Sequence, residues 1–547
     1  MTVPLKSQHT LLDFCLFFAA LITAFFLLTN GIPLVQMGLM HELRKKNDYE
    51  NLMRYSLSGF AILMILLRWK FSERFRGLQI AQIWKKINTL PLGAILGTLF
   101  FLYVSLMSFN GFIRHEVMAT RAFDLGIFSQ AVWTTMKGHF LFSSIKGDIC
   151  LLGDHVSPIL AAVVPFYALW SDPKCLLLLQ AIASGSCLFL IGSWAFERTG
   201  DKTFAVLLAV IYFFFLPTRS ALHEDFHPEV LIEPFLLLSF FALERKRISQ
   251  TILYLIPVWM AKENMAGITL MMGIYAWAAK KGKRFSFFLI FFSLALFAVS
   301  IRWIVPHFNH GQYFYQENYR QFTSNPFSGI LQSLLRADAW EYVLKLLSPL
   351  LFLPLFHFPT LMLAFPILFQ NILSQNPLML SLSYHYTIGM APFLFISATE
   401  GFRGLIQRHS HPLFRRWLLG LLIFIGLIRS GPSEYFFIWK DLAHATPHTE
   451  MVKRKLREIP QNASVLTHNN FIPQLANRFK VYQFEYSGPL TKLKQVHQLQ
   501  PDYVILDKLY WENEGFEATL SELQEMGYRT AFHQETFYLF KRMRDNP

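Results

Sequence analysis

Apolar stretches close to membrane-spanning length recur from Leu11 to about Arg429, with short polar connections between them. A helix needs about 20 largely apolar residues to cross a hydrocarbon layer with its backbone groups satisfied, so the pattern predicts a mainly α, polytopic transmembrane bundle of about eleven spans. From about Gly431 the pattern changes. Charge density rises and apolar runs shrink to strand length. "ASVLTHNNF" and "PDYVILDKL" read as buried strands, "TEMVKRKLREI" and "FEATLSELQEM" have helical periodicity, and "YRTAFHQETFYLFKR" reads as a closing hairpin. The expected organisation is an N-terminal part, 1–89, of membrane helices and a basic cytoplasmic loop. A transmembrane core follows over 90–430, with an outer loop at 110–173, and the chain ends in an extracytoplasmic α/β domain, 431–547.

Composition supports a membrane protein. Of 547 residues, 53% are hydrophobic and only 16% charged, and the mean hydropathy is +0.34, too apolar for an ordinary soluble domain. The formal net charge of +14 does not signal nucleic acid, because much of it sits in short loops between spans, where positive charge collects on the cytoplasmic side. Four cysteines give no disulfide framework: Cys15, Cys175 and Cys187 lie in or beside apolar runs and Cys150 is alone in its loop. The first apolar stretch, Leu11 to about Gly31, lacks a small-residue cleavage site and is expected to stay as a helix.

The basic loops orient the chain. "RWKFSERFRGLQIAQIWKK" (68–86) belongs inside, so the next span exits and Asp124 lies outside. "DHVSPILAAVVPFYALW" carries two prolines and is short for a span. Placed at the outer surface as an amphipathic or re-entrant helix, it returns the basic loops "FERTGDK" and "LERKRIS" to the cytoplasm. The segment around "AKEN" is then a hairpin of two short helices with Lys262 to Asn264 at an outward tip. One basic loop, "HELRKKNDYENLMR" (41–54), is placed outside by parity, against the trend.

With that orientation, the unusual polar groups near span ends collect on one face: Asp124, Asp154, His155, His223, Glu224, Asp225, His227, Glu229, Lys262, Glu263, His385 and Tyr386. Ionisable groups at membrane depth are costly, and together they point to a site. Each also has a plainer reading. Asp124 can cap the helix that follows. "HEDFHPE" has histidine spacing suited to a metal or to a polar turn before Pro228. Lys262 and Glu263 can neutralise one another, and His385 and Tyr386 can anchor at the interface. No metal ligands are assigned, and a divalent cation is left open. No glycine-rich nucleotide fingerprint is present.

"FDLGIFSQAVW", "GDHVSPIL", "LHEDFHPEVLIEP", "MAKENMAG" and "HYTIGMAPFLF" resemble a bacterial family of predicted membrane proteins with the architecture of the GT-C superfamily, integral-membrane glycosyltransferases that use polyprenyl-phosphate sugars. The resemblance covers most of residues 110–400 and extends weakly to the end. It implies a multi-pass protein of the bacterial inner membrane that moves a sugar from a polyprenyl-phosphate donor to a glycan, lipid or protein acceptor on the extracytoplasmic face. Asp124 matches the outer-loop aspartate that acts as catalytic base. Lys262 is the first candidate for the donor phosphate, with Arg121 and His155 behind it, and His223, Glu224 and His227 face the sugar or acceptor. The sequence departs from the superfamily in two places: Asp124 has no adjacent second acid, and His155 stands where a lysine is usual. Other classes implied by the polar groups are a lipid-substrate transporter or flippase, which calls for paired repeats and midplane charges, and a membrane assembly protein, which would tolerate Asp124→Asn.

Overall fold

The computed structural model describes residues 89–322, 326–429, 445–484, 489–511 and 515–543. The expected first span from Leu11, the basic loops at 41–54 and 68–86, and the boundary near Gly431 lie outside the described residues.

Among the described residues, four helices are long and apolar enough to cross a membrane: Leu92–Glu116, Lys174–Thr199, Lys202–His223 and Lys283–Phe308. Local chemistry sets their ends. Lys174–Thr199 stops at Gly200, whose φ of +66° is the left-handed conformation that closes a helix with little steric cost. The next residue, Asp201, caps the following helix by accepting the Phe204 N–H at 3.1 Å. At that end of the bundle Arg415 pairs with Asp201 at 2.6 Å, and Arg198 with Glu400 at 2.5 Å.

The remaining helices are shorter and often interrupted. Ile159–Leu169 has 11 residues, fewer than a spanning helix needs and in keeping with a surface or re-entrant placement. Ile248–Trp259 and Met265–Ala278 are the two short arms of the expected hairpin, with Lys262 to Asn264 between them. The apolar stretch Tyr342 to Leu355, counted in the sequence as one of the eleven spans, is broken. Helix Ala337–Leu347 ends there, and tight turns follow at Ser348–Leu350 and Leu353–Phe356. Pro349 and Pro354 each remove a backbone donor, and Leu351 and Phe352 take up positive φ. The turn at Leu353 packs so closely on helix Ala391–Arg408 that a Cβ at Gly401 would collide with the Leu353 carbonyl oxygen.

Two sheets lie beyond the bundle. A hairpin in the outer loop pairs β1 (Phe142–Ser143) with β2 (Ile149–Cys150). Near the C-terminus β3 (Val465–Thr467), β4 (Val481–Gln483), β5 (Tyr503–Asp507), β6 (Tyr528–Gln534) and β7 (Phe537–Arg542) form a five-stranded sheet in the order β4-β3-β5-β7-β6. β3 runs parallel to both β4 and β5, while β7 is antiparallel to β5 and β6. Helices Pro447–Arg457, Pro489–Leu499 and Phe516–Glu525 accompany it.

This sheet is bonded to the outer loop. Gln130, buried on helix Ile127–Met136, donates to Ser144 Oγ at 2.9 Å and to the Arg478 carbonyl at 3.0 Å, and Ser144 Oγ donates to the Val481 carbonyl at 2.8 Å. Met118 and Ala122 are buried in one apolar cluster with Phe471, Ile472, Ile505 and Phe537.

Candidate active site

Asp124 lies in a five-residue turn, Ala122–Gly126, between the long helix Leu92–Glu116 and helix Ile127–Met136. Its backbone is strained, with φ 82° and ψ −95°, a conformation that costs of order 1–3 kcal/mol in a non-glycine residue and is found where the surroundings impose it. The turn is tightly seated: a Cβ at Gly126 would lie 2.9 Å from Ile472 Cγ2. Helix Ile127–Met136 has no side-chain cap at its start, so Asp124 is not the helix cap that its position in the sequence allows. Its carboxylate, about a third exposed, instead faces a cavity of about 660 Å³, with Oδ2 3.6 Å from His227 Nε2.

"HEDFHPE" forms the opposite wall. Pro228 starts helix Pro228–Glu244, leaving residues 224–227 as a turn with Asp225 at φ 96°. Gln180 fixes the turn by donating to the Asp225 carbonyl at 2.6 Å and accepting the His227 N–H at 3.2 Å. Asp225 is buried and accepts the Arg121 backbone N–H at 2.8 Å, with Arg114 Nη2 3.4 Å away. Burial outweighs these partners and pushes its carboxyl up to about 7.

"DHVSP" and "AKEN" meet along one edge. Ser157 Oγ donates to the Ala261 carbonyl at 2.6 Å, and the Ile159 N–H to the Met260 carbonyl at 2.9 Å. Glu263 accepts the Val156 N–H at 3.0 Å and lies 2.8 Å from His155 Nδ1. Glu263 therefore holds the short surface helix onto the hairpin tip. The ion-pair partner of Lys262 is instead Glu229, to which its ammonium donates at 2.7 Å. His155 stacks on Tyr315 at 4.3 Å, Tyr315 donates to Asp154 at 2.8 Å, and Lys146 pairs with Asp154 at 3.1 Å.

Of the residues singled out in the sequence, Asp124, Asp154, His155, His227, Lys262, Glu263, His385 and Tyr386 line this one cavity, together with Glu229. Glu224 lies behind the lining, accepting the His385 N–H at 2.9 Å and approaching His227 Nε2 to 4.0 Å. Two of the expected residues are elsewhere. Arg121 presents its backbone to Asp225 and is exposed, and His223 is engaged by Asn110 at 3.1 Å and Arg114 at 3.2 Å. Sequence reasoning assigned no role to Lys146, Tyr313, Tyr315 and Tyr319. The last three lie in "HGQYFYQENYRQF", whose five aromatics within an otherwise polar outer loop were the available signal.

Four carboxylates in the lining (Asp124, Asp154, Glu229, Glu263) face only two lysines (Lys146, Lys262), so the charge of the histidines matters. Burial would lower His227, but the charges of Asp124 and Glu224 outweigh it and raise it to about 9. Burial would raise Asp124, yet the His227 charge holds it below its ordinary value. Glu224, raised mainly by burial, reaches about 7. His385, 13% exposed and stacked on His227 at 3.8 Å, is pushed well below its ordinary value by burial and by the His227 charge.

The same groups can hold a divalent cation. Glu224, His227 and His385 offer ligand atoms within 4.8 Å of one another, and both ring nitrogens of buried His227 lack a hydrogen-bond partner. A site of two imidazoles and a carboxylate suits zinc or manganese, with Asp124 close enough to complete it. Zinc added at about 100 times its Kd is expected to stabilise the protein by about 2.7 kcal/mol. Thermal unfolding in detergent measures this, and the gain should vanish in His227→Ala.

The fold and this site define a membrane protein with a cluster of ionisable groups around one cavity, in a bundle whose outer loop is bonded to a mixed sheet. The chain belongs to the DUF2079 family of predicted membrane proteins, whose model matches residues 114–537. No curated protein matches it. Among solved structures, ArnT from Cupriavidus metallidurans bound to undecaprenyl phosphate is similar at 10% identity, covering 81% of this chain and 97% of that one, with a TM-score of 0.49. ArnT in the apo state is similar at 9% identity, covering 77% and 93%, with a TM-score of 0.44.

Proposed function

We propose that the protein is an integral-membrane glycosyltransferase of the bacterial inner membrane, moving a sugar from a polyprenyl-phosphate donor to an acceptor on the extracytoplasmic face. One observation carries this reading: a single cavity is lined both by Asp124, Asp154, His227 and Lys262 and by Leu270, Leu294, Phe297, Ile367 and Met379. Leu294 is 49% exposed and Phe297 41%, so the apolar lining includes side chains that also reach the outer surface of helix Lys283–Val299. A substrate with a polar head and a long apolar tail suits such a lining.

The chemistry asks for few groups. Polyprenyl phosphate is a good leaving group, so no general acid is required. Asp124 takes the proton of the acceptor hydroxyl as that oxygen bonds to the anomeric carbon, and the bond from that carbon to the phosphate oxygen breaks. Lys262 stands where it can stabilise the charge that develops on the phosphate. A single displacement inverts the anomeric centre. The sheet near the C-terminus lies on the same side as Asp124 and is extracytoplasmic in this reading.

The test incubates purified protein with a panel of polyprenyl-phosphate sugars and a cell-envelope extract as the source of acceptor hydroxyls, and follows release of polyprenyl phosphate by mass spectrometry. Release from one donor class supports transfer and names the sugar. Binding of donors with no release, together with movement of labelled lipid across vesicles, overturns it in favour of a flippase.

A further inference from the structure

In the sheet near the C-terminus, β3 is followed by its neighbour β4, and the chain then crosses back to β5 on the other side of β3. The point between the carboxyl ends of β3 and β5 is where such a topology opens a crevice, and where open α/β sheets generally take their ligands. Here a segment of the same chain lies against the residues that leave β3. Asn469 Oδ1 accepts the Ala122 N–H at 2.6 Å, Asn470 Nδ2 donates to the Met118 carbonyl at 2.9 Å, and Gln474 Nε2 donates to the His115 carbonyl at 2.6 Å. Ala122 is two residues before Asp124. The adjoining Arg121 N–H is held from the opposite side by Asp225. Two successive amides of the outer loop are thus fixed, one by the helical bundle and one by the sheet, immediately before the backbone enters its strained turn at φ 82°.

We propose that Asn469 is a positioning residue, which keeps the Asp124 carboxylate aimed into the cavity by anchoring the Ala122 amide to the sheet. The proposal rests on the reading of Asp124 as base. A turn with a positive-φ aspartate relaxes when its anchors are lost, and the carboxylate swings away from the reacting hydroxyl. The sheet then contributes to the reaction without lending a side chain to the cavity, and what occupies its ligand edge is the loop that carries the base.

Asn469→Ala removes the acceptor of the Ala122 N–H, whereas Asn469→Asp keeps an oxygen in its place. In the full-length protein, hydrogen–deuterium exchange over residues 118–126 is expected to speed up at least tenfold in Asn469→Ala and to stay near wild type in Asn469→Asp. With the donor found in the panel above, Asn469→Ala should lower kcat by about 10²-fold, the scale expected when a reacting group is displaced by about an ångström, with donor KM unchanged. Asn469→Asp should restore most of that loss, an outcome that general destabilisation would not give. Faster exchange with unchanged kcat overturns the proposal, because the loop is then held without consequence for the base. Unchanged exchange in Asn469→Ala overturns it as well, because the anchor is then not Asn469. If the wild type releases lipid phosphate from no donor, the base reading fails and the positioning role falls with it, while the exchange result still reports whether the anchor exists.

Discussion

Asp124→Asn is expected to lower sugar transfer by about 10³-fold, within the range that a positioned general base contributes. Asparagine keeps the size and the hydrogen-bonding oxygen of aspartate but cannot take a proton. It is also among the residues that best tolerate positive φ, so the strained turn at φ 82° should form as in the wild type. The variant is therefore expected to fold and to bind the lipid-phosphate donor normally, with the loss confined to kcat. Mass-spectrometric release of lipid phosphate, read beside donor binding, checks both parts. Equal turnover by the two proteins would remove Asp124 as base, and binding without turnover by either would point to transport or assembly instead.

The second large effect concerns Lys262. Its ammonium and the Glu229 carboxylate form a 2.7 Å pair in which the side chains are 14% and 9% exposed. Removing one partner of such a pair strands the other charge, at a cost of about 3–5 kcal/mol. Lys262→Met should therefore lower the unfolding temperature sharply and also weaken donor binding. The two effects separate in the double variant Lys262→Met with Glu229→Gln, where no charge is stranded: stability should return and donor affinity should not. Glu229→Gln alone has the opposite sign at the phosphate, because it frees the lysine, and donor KM should fall. Loss of Lys262 should raise KM by about 10- to 100-fold, the equivalent of the roughly 1.5–3 kcal/mol of a hydrogen bond to a charged group. A donor KM that ignores both substitutions would show that the phosphate binds elsewhere.

How far the sequence could be read depended on whether a feature is local. The hairpin tip at Lys262 to Asn264 was legible because basic residues at both arms leave only one way to turn, and Pro228 announced the start of its helix. "ASVLTHNNF" and "PDYVILDKL" contain β3 and β5, since a buried strand is a short apolar run between polar turns. Topology also brought eight of the eleven expected site residues to one cavity. Pairings were not legible. Lys262 stands beside Glu263 in sequence, yet its partner is Glu229, 33 residues away. Arg121 and His223 looked like site residues because of their neighbours. The first turns its backbone inward, and the second is taken up by Asn110 and Arg114 from helix Leu92–Glu116. The break after Leu347 was missed because apolar content suggested a continuous span, although Pro349 and Pro354 already argued against one.

In the proposed glycosyltransferase, the exposed flank formed by Leu294 and Phe297 bears on how the lipid donor arrives. A lipid that enters sideways from the leaflet never passes through bulk water, so the quantity that governs its capture is its density in the plane of the membrane. Diluting the donor with inert lipid at constant total donor should slow turnover as if substrate were being withdrawn, whereas changing the aqueous volume should leave the rate per protein untouched. In a cell, such a protein would respond to the local supply of carrier lipid around it, and compete for that supply with every neighbour that draws on the same leaflet.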